Sequence, residues 1–229
     1  MDNIITARNV KRCFRLGDGE DFYALKGVDI DIPRGALTIL KGRSGSGKTT
    51  LLNALSTLDT PTEGEIFFDG VSCADMSEAD KEALRRKDIG FVFQSVALIP
   101  IMNAYENVDF SLRLAQCEEE RSSRIKRVLS LVGMQERMLH MPGQMSGGEQ
   151  QRIAIARAVA PKPKVIFADE PTGALDTDTG LKCMALFKNL ITHEGVTIVM
   201  TTHDPNLMEL GDVIYEMEDG EIIDKRSNI

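Results

Sequence analysis

Long apolar runs are missing from this chain. No stretch approaches the roughly 18 consecutive apolar residues of a membrane-spanning helix, so the sequence predicts no direct membrane insertion. The N-terminus, Met1-Asp-Asn-Ile-Ile-Thr-Ala-Arg8, lacks the basic-then-apolar order of a secretory signal, and the expected location is cytoplasmic unless a partner holds the chain at a membrane. Cysteine is sparse: Cys13, Cys73, Cys117 and Cys183 lie far apart, with no C-x-x-C pair and no histidine at ligand spacing, which argues against zinc and against a disulfide framework. A basic excess is also absent. With 27 Lys and Arg against 35 Asp and Glu, the formal charge of −8 disfavours a broad phosphate-backbone footprint and hence nucleic acid, but it leaves room for a nucleotide, whose phosphates need only a local nest of N–H groups. What remains is 229 residues with 42% apolar content, enough for one large domain with its own core.

The chain is organised around Gly42-Arg-Ser-Gly-Ser-Gly-Lys-Thr-Thr50. The apolar run Leu37-Thr-Ile-Leu40 ahead of it reads as a short buried strand, and Leu51, Leu52, Ala54 and Leu55 behind it suit the inward face of a helix. Strand, glycine-rich loop and helix N-terminus together make a site for phosphate oxygens, since successive backbone N–H groups turn inward and the helix dipole favours anions. Gly42, Gly45 and Gly47 permit backbone conformations and close approaches that a Cβ would obstruct, and Arg43, Ser44, Ser46 and Thr50 complete the phosphate-binding stretch. Lys48 is placed to reach β- and γ-phosphates and the Thr49 hydroxyl to ligate Mg²⁺. An adenine ring needs a flat partner, for which Phe14 and, in reserve, Tyr23 are the upstream candidates.

Elsewhere the chain alternates strand and helix patterns. Asn3 to Lys11 suggests an edge strand; Gly17 to Asp21 reads as a polar turn; Val28, Ile30 and Ile32 alternate with Asp29 and Asp31 in a half-exposed strand ended by Pro33. Gly64 to Asp69 reads as another strand, and Ser77 with Asp80 opens a charged helix. Ile89-Gly-Phe-Val-Phe93 is a buried strand delivering Gln94, whose amide can donate to water and ligate Mg²⁺ through its oxygen. From Asn103 to Val132 the pattern is helical, interrupted by a charged, solvated segment from Cys117 to Arg124. Ser146-Gly147-Gly148-Glu149 is a second glycine-rich helix start. It is a capping box in its own right, and its paired glycines imply that something approaches the backbone closely. Lys164-Val-Ile-Phe-Ala-Asp169-Glu170 runs an apolar strand into two acids: Asp169 for the Mg²⁺ shell, Glu170 to polarise a water for in-line attack. Pro171 to Asp176 is a turn before a helix, Thr197-Ile-Val-Met-Thr-Thr202 brings His203 to the same edge, and Asp219-Gly220 turns a terminal hairpin. The fold class is α/β: a phosphate-loop NTPase core with a mostly parallel sheet, an N-terminal antiparallel β part and an inserted helical subdomain.

In order and spacing these motifs resemble the ATP-binding subunit of ABC transporters over nearly the whole chain. Gly42 to Thr49 matches Walker A, Gln94 the Q-loop glutamine, Met145 to Glu149 the signature motif, Val165 to Asp169 Walker B, Glu170 its catalytic glutamate, Ala174-Leu-Asp176 the D-loop and His203 the switch histidine. The runs 52–59, 91–94 and 168–176 are most similar to the branch of lipoprotein-release, MacB-like and antimicrobial-peptide-resistance exporters and the division-associated FtsE. The resemblance implies one ABC ATPase domain over 1–229, with a nucleotide-binding core of 1–95 and 160–229 and a helical subdomain of 96–159. It implies catalytic roles for Glu170, His203, Gln94 and Lys48; Mg²⁺ ligation by Thr49, Gln94 and Asp169; and ATP contacts from the loop, from Ser146 to Glu149 and from Asp176. It further implies an ATP-dependent head-to-tail homodimer and a membrane permease subunit holding the chain at the inner face of the cell membrane, docked near Gln94 and the 95–103 segment. Ala97 to Ile101 belong either to that docking groove or to the helical core. The activity implied is ATP hydrolysis driving export or extraction of a lipoprotein, peptide or drug-like substrate. The alternative is a non-transporting ATP-driven switch on a membrane partner, as in the FtsE branch.

Overall fold

The computed structural model describes residues 2–229 apart from 16, 18, 118, 119, 174, 205, 206 and 208. Parts of the expected turn at Gly17 to Asp21, of the charged 117–124 segment and of the D-loop (Asp18, Glu118, Glu119 and Ala174) therefore lie outside the described residues.

Two sheets carry the fold. The first is antiparallel, in the order β2-β1-β4-β5, built from β1 (Asn3–Arg15), β2 (Asp21–Pro33), β4 (Glu63–Phe68) and β5 (Val71–Ser72). The expected edge strand is thus an inner one: β1 is longer than its pattern suggested and is paired on one side to β2 and on the other to β4, so that Ile4, Ile5, Ala7 and Val10 are all buried. The second sheet runs β10-β9-β3-β8-β7-β6. In it β3 (Leu37–Lys41), β6 (Ile89–Val92), β7 (Val165–Ala168), β8 (Thr197–Thr202) and β9 (Val213–Glu218) are parallel, and β10 (Glu221–Ser227) closes one edge by the expected hairpin. β7 and β8 are buried at every position, as strands covered on both faces must be.

On one face of this sheet, α1 (Lys48–Leu55) and the antiparallel sheet share a core through Leu51, Leu55, Val28 and Phe68. On the other face lie α3 (Ala104–Leu114), α4 (Arg121–Leu131), α5 (Gly147–Val159) and α6 (Thr177–Glu194), joined by Val108, Ile125, Ile155 and Phe187. Helix α5 presses directly on β6: a Cβ on Gly90 would lie 2.6 Å from the Ala158 carbonyl oxygen. α2 (Glu78–Lys87) carries the predicted capping box, Ser77 accepting from the Asp80 N–H, and has no fully buried residue. The 117–124 segment departs from expectation at Arg124. Its guanidinium is buried, donating to the carbonyl oxygens of Val159 (2.8 Å) and Ala160 (2.9 Å) and pairing with Glu194 at 2.8 Å. The C-terminus of α5 leaves carbonyls without intrahelical partners, and Arg124 supplies the donors.

Candidate active site

The parallel strands all end on one edge, and β3 sits between β8 and β9, so the loop after β3 emerges where side chains of an α/β sheet meet a ligand. The loop is shaped by its glycines. Gly47, the N-cap of α1, has φ 99°, and a Cβ there would lie 2.6 Å from the Ala24 carbonyl oxygen. A Cβ on Gly42 would strike the Met217 carbonyl oxygen at 2.3 Å and Ser46 Oγ at 2.7 Å. Ser46 Oγ is itself buried without a partner, and Lys48 Nζ donates to the Gly42 and Arg43 carbonyl oxygens at 2.8 Å each. Burial pulls the Lys48 pKa down, against the opposing pull of Glu170 and Asp169. This is a cradle of donors around a space that a side chain would fill, which suits an anion of phosphate size. Arg43, Ser44 and Gly45 are exposed at its mouth. Lys41, next to the loop, pairs with Glu216 at 2.7 Å.

The strand-end acids face this loop. The Thr49 hydroxyl lies 3.1 Å and 3.0 Å from the two oxygens of Asp169, so two hard oxygen donors converge on one spot. Glu170 follows with φ 44°, a left-handed conformation costly for a side chain of its size. Its carboxylate is held at both oxygens, by Gln94 Nε2 at 3.3 Å and by His203 Nδ1 at 3.2 Å. Gly173 packs beside this trio, where a Cβ would lie 3.3 Å from Gln94 Nε2. The ends of β6, β7 and β8 thus bring Gln94, Asp169, Glu170 and His203 together beside Thr49 and Lys48. Such an arrangement can neutralise phosphate charge and hold a water against a carboxylate base.

Thr201, in β8 and fully buried, escaped the sequence reading. Its hydroxyl donates to Asp169 Oδ1 at 2.6 Å and accepts from the Glu170 N–H at 2.8 Å, tying the two acids together and supporting the strained backbone between them. The only sequence signal was a hydroxyl in an apolar strand one residue before the strand end.

The second glycine-rich start is separate. Ser146 accepts from the Glu149 N–H, and the Glu149 carboxylate accepts from the Ser146 N–H at 2.8 Å, which holds its pKa below the ordinary range. Glu149 is therefore engaged in the cap. The close approach predicted for the paired glycines is met at one of them: a Cβ on Gly148 would lie 2.8 Å from Thr179 Cγ2, while nothing lies within 4 Å of one on Gly147. Asp176 caps α6, accepting from the Thr179 N–H at 3.0 Å and the Thr179 hydroxyl at 2.7 Å. Among the described residues, no hydrogen bond or ion pair joins 146–149 to 42–50.

Phe14 and Tyr23 are both exposed on the β1–β2 ribbon, whose Ala24 carbonyl abuts Gly47. The Arg12 guanidinium lies 4.5 Å from the Phe14 ring centroid and is anchored by Asp59 at 2.7 Å. The 97–101 run divides: Leu98 packs on the helical core, Ala97 and Ile99 line a groove, and Ile101 is exposed. Asn107, fully buried on α3, fastens this segment through the backbone of Ile99, Met102 and Asn103.

Comparison with known proteins gives a consistent picture. A sequence model of the ABC transporter family matches residues 25–173. The ABC transporter ATP-binding protein MJ0796 of Methanocaldococcus jannaschii is 45% identical over 224 residues, 96% of this chain and 95% of the relative. The lipoprotein-releasing system ATP-binding protein LolD 2 of Rhodopirellula baltica is 40% identical over 233 residues, 99% and 91% of the two chains. The dimeric post-hydrolysis structure of MJ0796 bound to ADP and Pi superposes with a TM-score of 0.88 at 41% identity, covering 97% of this chain and 98% of that one.

Proposed function

The chain belongs to the ABC transporter ATP-binding family, as an ATPase subunit of the LolD and MacB type, and from that premise we propose that it energises a membrane permease exporting or extracting a lipoprotein, peptide or drug-like substrate. The convergence of Gln94, Glu170 and His203 beside the glycine loop carries the catalytic part of this reading.

Lys48 exchanges its two carbonyl partners for β- and γ-phosphate oxygens, and the loop N–H groups with Ser46 Oγ complete the cradle. Thr49, Asp169 and Gln94 fit a Mg²⁺ site, being oxygen donors of which two already converge; the ion when bound supplies Lewis-acid neutralisation of phosphate charge. Glu170 takes the proton of the attacking water, Gln94 orients that water, His203 contacts the γ-phosphate, and Thr201 holds Glu170 to Asp169 as a positioning residue. Phe14 is favoured over Tyr23 for adenine, because Arg12, fixed by Asp59, braces one face of its ring.

Ser146 and Gly147 close over ATP held by Lys48 and Thr49 of a second copy, with Asp176 and the turn before α6 beside them. The open backbone at Gly147 supports this, as does the dimeric state of the MJ0796 cassette. The 96–159 unit lies in one working domain with the core of 1–95 and 160–229, and the permease holds the chain on the inner face of the membrane. Replacing Glu170 with Gln should leave ATP binding intact, nearly abolish turnover and accumulate an ATP-bound dimer on size-exclusion chromatography with ATP and Mg²⁺. A mutant that stays monomeric and fully active sinks the assignment.

A further inference from the structure

A cavity of about 330 Å³ opens between the end of α4, the first turns of α5 and one side of α6. None of its lining residues belongs to the phosphate loop or to the cluster of Gln94, Asp169, Glu170 and His203. Leu131, Val132 and Leu186 make apolar walls, and Gln151, Arg152 and Lys182 add hydrogen-bond donors. Apolar walls with a few polar groups that fix orientation are the usual composition of a small-molecule site. Among the described residues no Asp or Glu lines this cavity, on a chain whose acids outnumber its bases.

Two of those donors are buried and unsatisfied. Gln151 is only 2% exposed, and its Nε2 has no hydrogen-bond partner; the Nε of Arg152 is likewise buried and unpartnered. Such groups are costly to leave unpaired, and those of a guanidinium most of all. The anions nearest to hand do not serve them. The Glu149 carboxylate, which feels the Arg152 charge, accepts from the Ser146 N–H at 2.8 Å and lies 3.5 Å from Arg137. Burial pushes the Cys183 thiol up to about 12, so it stays protonated at the cavity wall. What the cavity lacks is an acceptor-only group, and the one that matches guanidinium and amide donors is a carboxylate. A free phosphate would place a second charge beside the apolar walls and leave them unused.

We propose that this cavity binds a small organic acid, its carboxylate held by Gln151 and Arg152 with Lys182 beside them, and its short apolar tail laid along Leu131, Val132 and Leu186. At about 30 Å³ for each water-sized group the space takes about ten non-hydrogen atoms, the size of an eight-carbon acid. The site does not rest on the permease-coupled reading. It does border the second helix start: Gly148 and Thr179 form part of its wall, and between them there is no room for a Cβ on the glycine. Thr179 in turn is the partner of Asp176. An occupant between α5 and α6 therefore bears on both helix starts from outside the phosphate cradle.

Calorimetric titration of the full chain with octanoate, octanol and inorganic phosphate tests the proposal. One saturable octanoate site is expected, with octanol and phosphate each at least about tenfold weaker. Gln151→Met and Arg152→Met should each weaken octanoate by about tenfold or more. Lys182→Glu, at an exposed position where folding is not at risk, should weaken it by about threefold. Without octanoate, Gln151→Met should melt no lower than wild type, because the donor it removes had no partner. The amide resonances of Gly148 and Thr179 should shift as octanoate is added. Failure of octanoate to saturate one site, equal affinity in wild type and all three variants, or unmoved Gly148 and Thr179 resonances would overturn the inference and leave the ATPase reading standing. Octanol or phosphate binding as tightly as octanoate would overturn the assignment of an organic acid.

Discussion

Replacing Arg124 with Met should be among the most destabilising single changes in the chain. The methionine keeps most of the apolar stem and removes three charge-assisted contacts: the donations to Val159 and Ala160, and the ion pair to Glu194, whose side chains are 5% and 6% exposed. Breaking a buried ion pair by removing one partner costs about 3–5 kcal/mol. The lower end applies, because Arg127 still reaches the other Glu194 oxygen at 2.9 Å and the glutamate is not left alone. The two α5 carbonyls lose their donors at the same time, so the net cost is about 3–4 kcal/mol. For a chain of this size 1 kcal/mol moves Tm by about 2–4 °C, which gives a fall of about 6–16 °C in calorimetry of the ligand-free protein. Arg127→Met is the control, since its side chain is 61% exposed and its loss should cost under about 1 kcal/mol. Equal shifts for the two variants, or a shift below about 3 °C for Arg124→Met, would refute the reasoning.

Three further outcomes follow from local contacts. Gly47→Ala sets a Cβ 2.6 Å from the Ala24 carbonyl at a φ of 99°, a strain of about 1–3 kcal/mol, and should weaken ATP binding about tenfold in fluorescence titration. Arg157 donates to the carbonyl oxygens of Ala97 and Val96; Arg157→Met frees that turn, and hydrogen exchange at amides 96–99 should quicken about tenfold, with unchanged rates counting against the brace. Asp69, held below its ordinary pKa of 3.8 by hydrogen bonds from Lys164 and Arg34, contributes stability that is complete above that value and is lost as pH falls through its depressed folded pKa; Asp69→Asn should flatten the acid limb of a Tm–pH curve.

The site was largely legible because its parts are local. A glycine loop between a strand and a helix, a pair of acids at a strand end and a Ser-x-x-Glu cap each declare their geometry within a few residues. What escaped depends on partners distant in sequence. Arg124 looks like any residue of a charged segment until α5 and Glu194 close around it, 35 to 70 positions away. β1 resembles an edge strand because β4, its second neighbour, begins only at Glu63. Thr201 acquires its role from the acids of the adjacent strand, and the apolar stripe of α3 gave no sign that Phe110 and Leu114 face outward.

The central claim, that each ATP site is shared between two copies, is tested most directly by mixing two defective variants on the Glu170→Gln background: Lys48→Ala, which spoils the loop, and Ser146→Phe, which spoils the second helix start. Shared sites predict that neither variant alone retains ATP after gel filtration, whereas the mixture contains dimers with one intact pairing and retains about one ATP per mixed dimer. A mixture that holds no more ATP than its separate components would contradict the shared site.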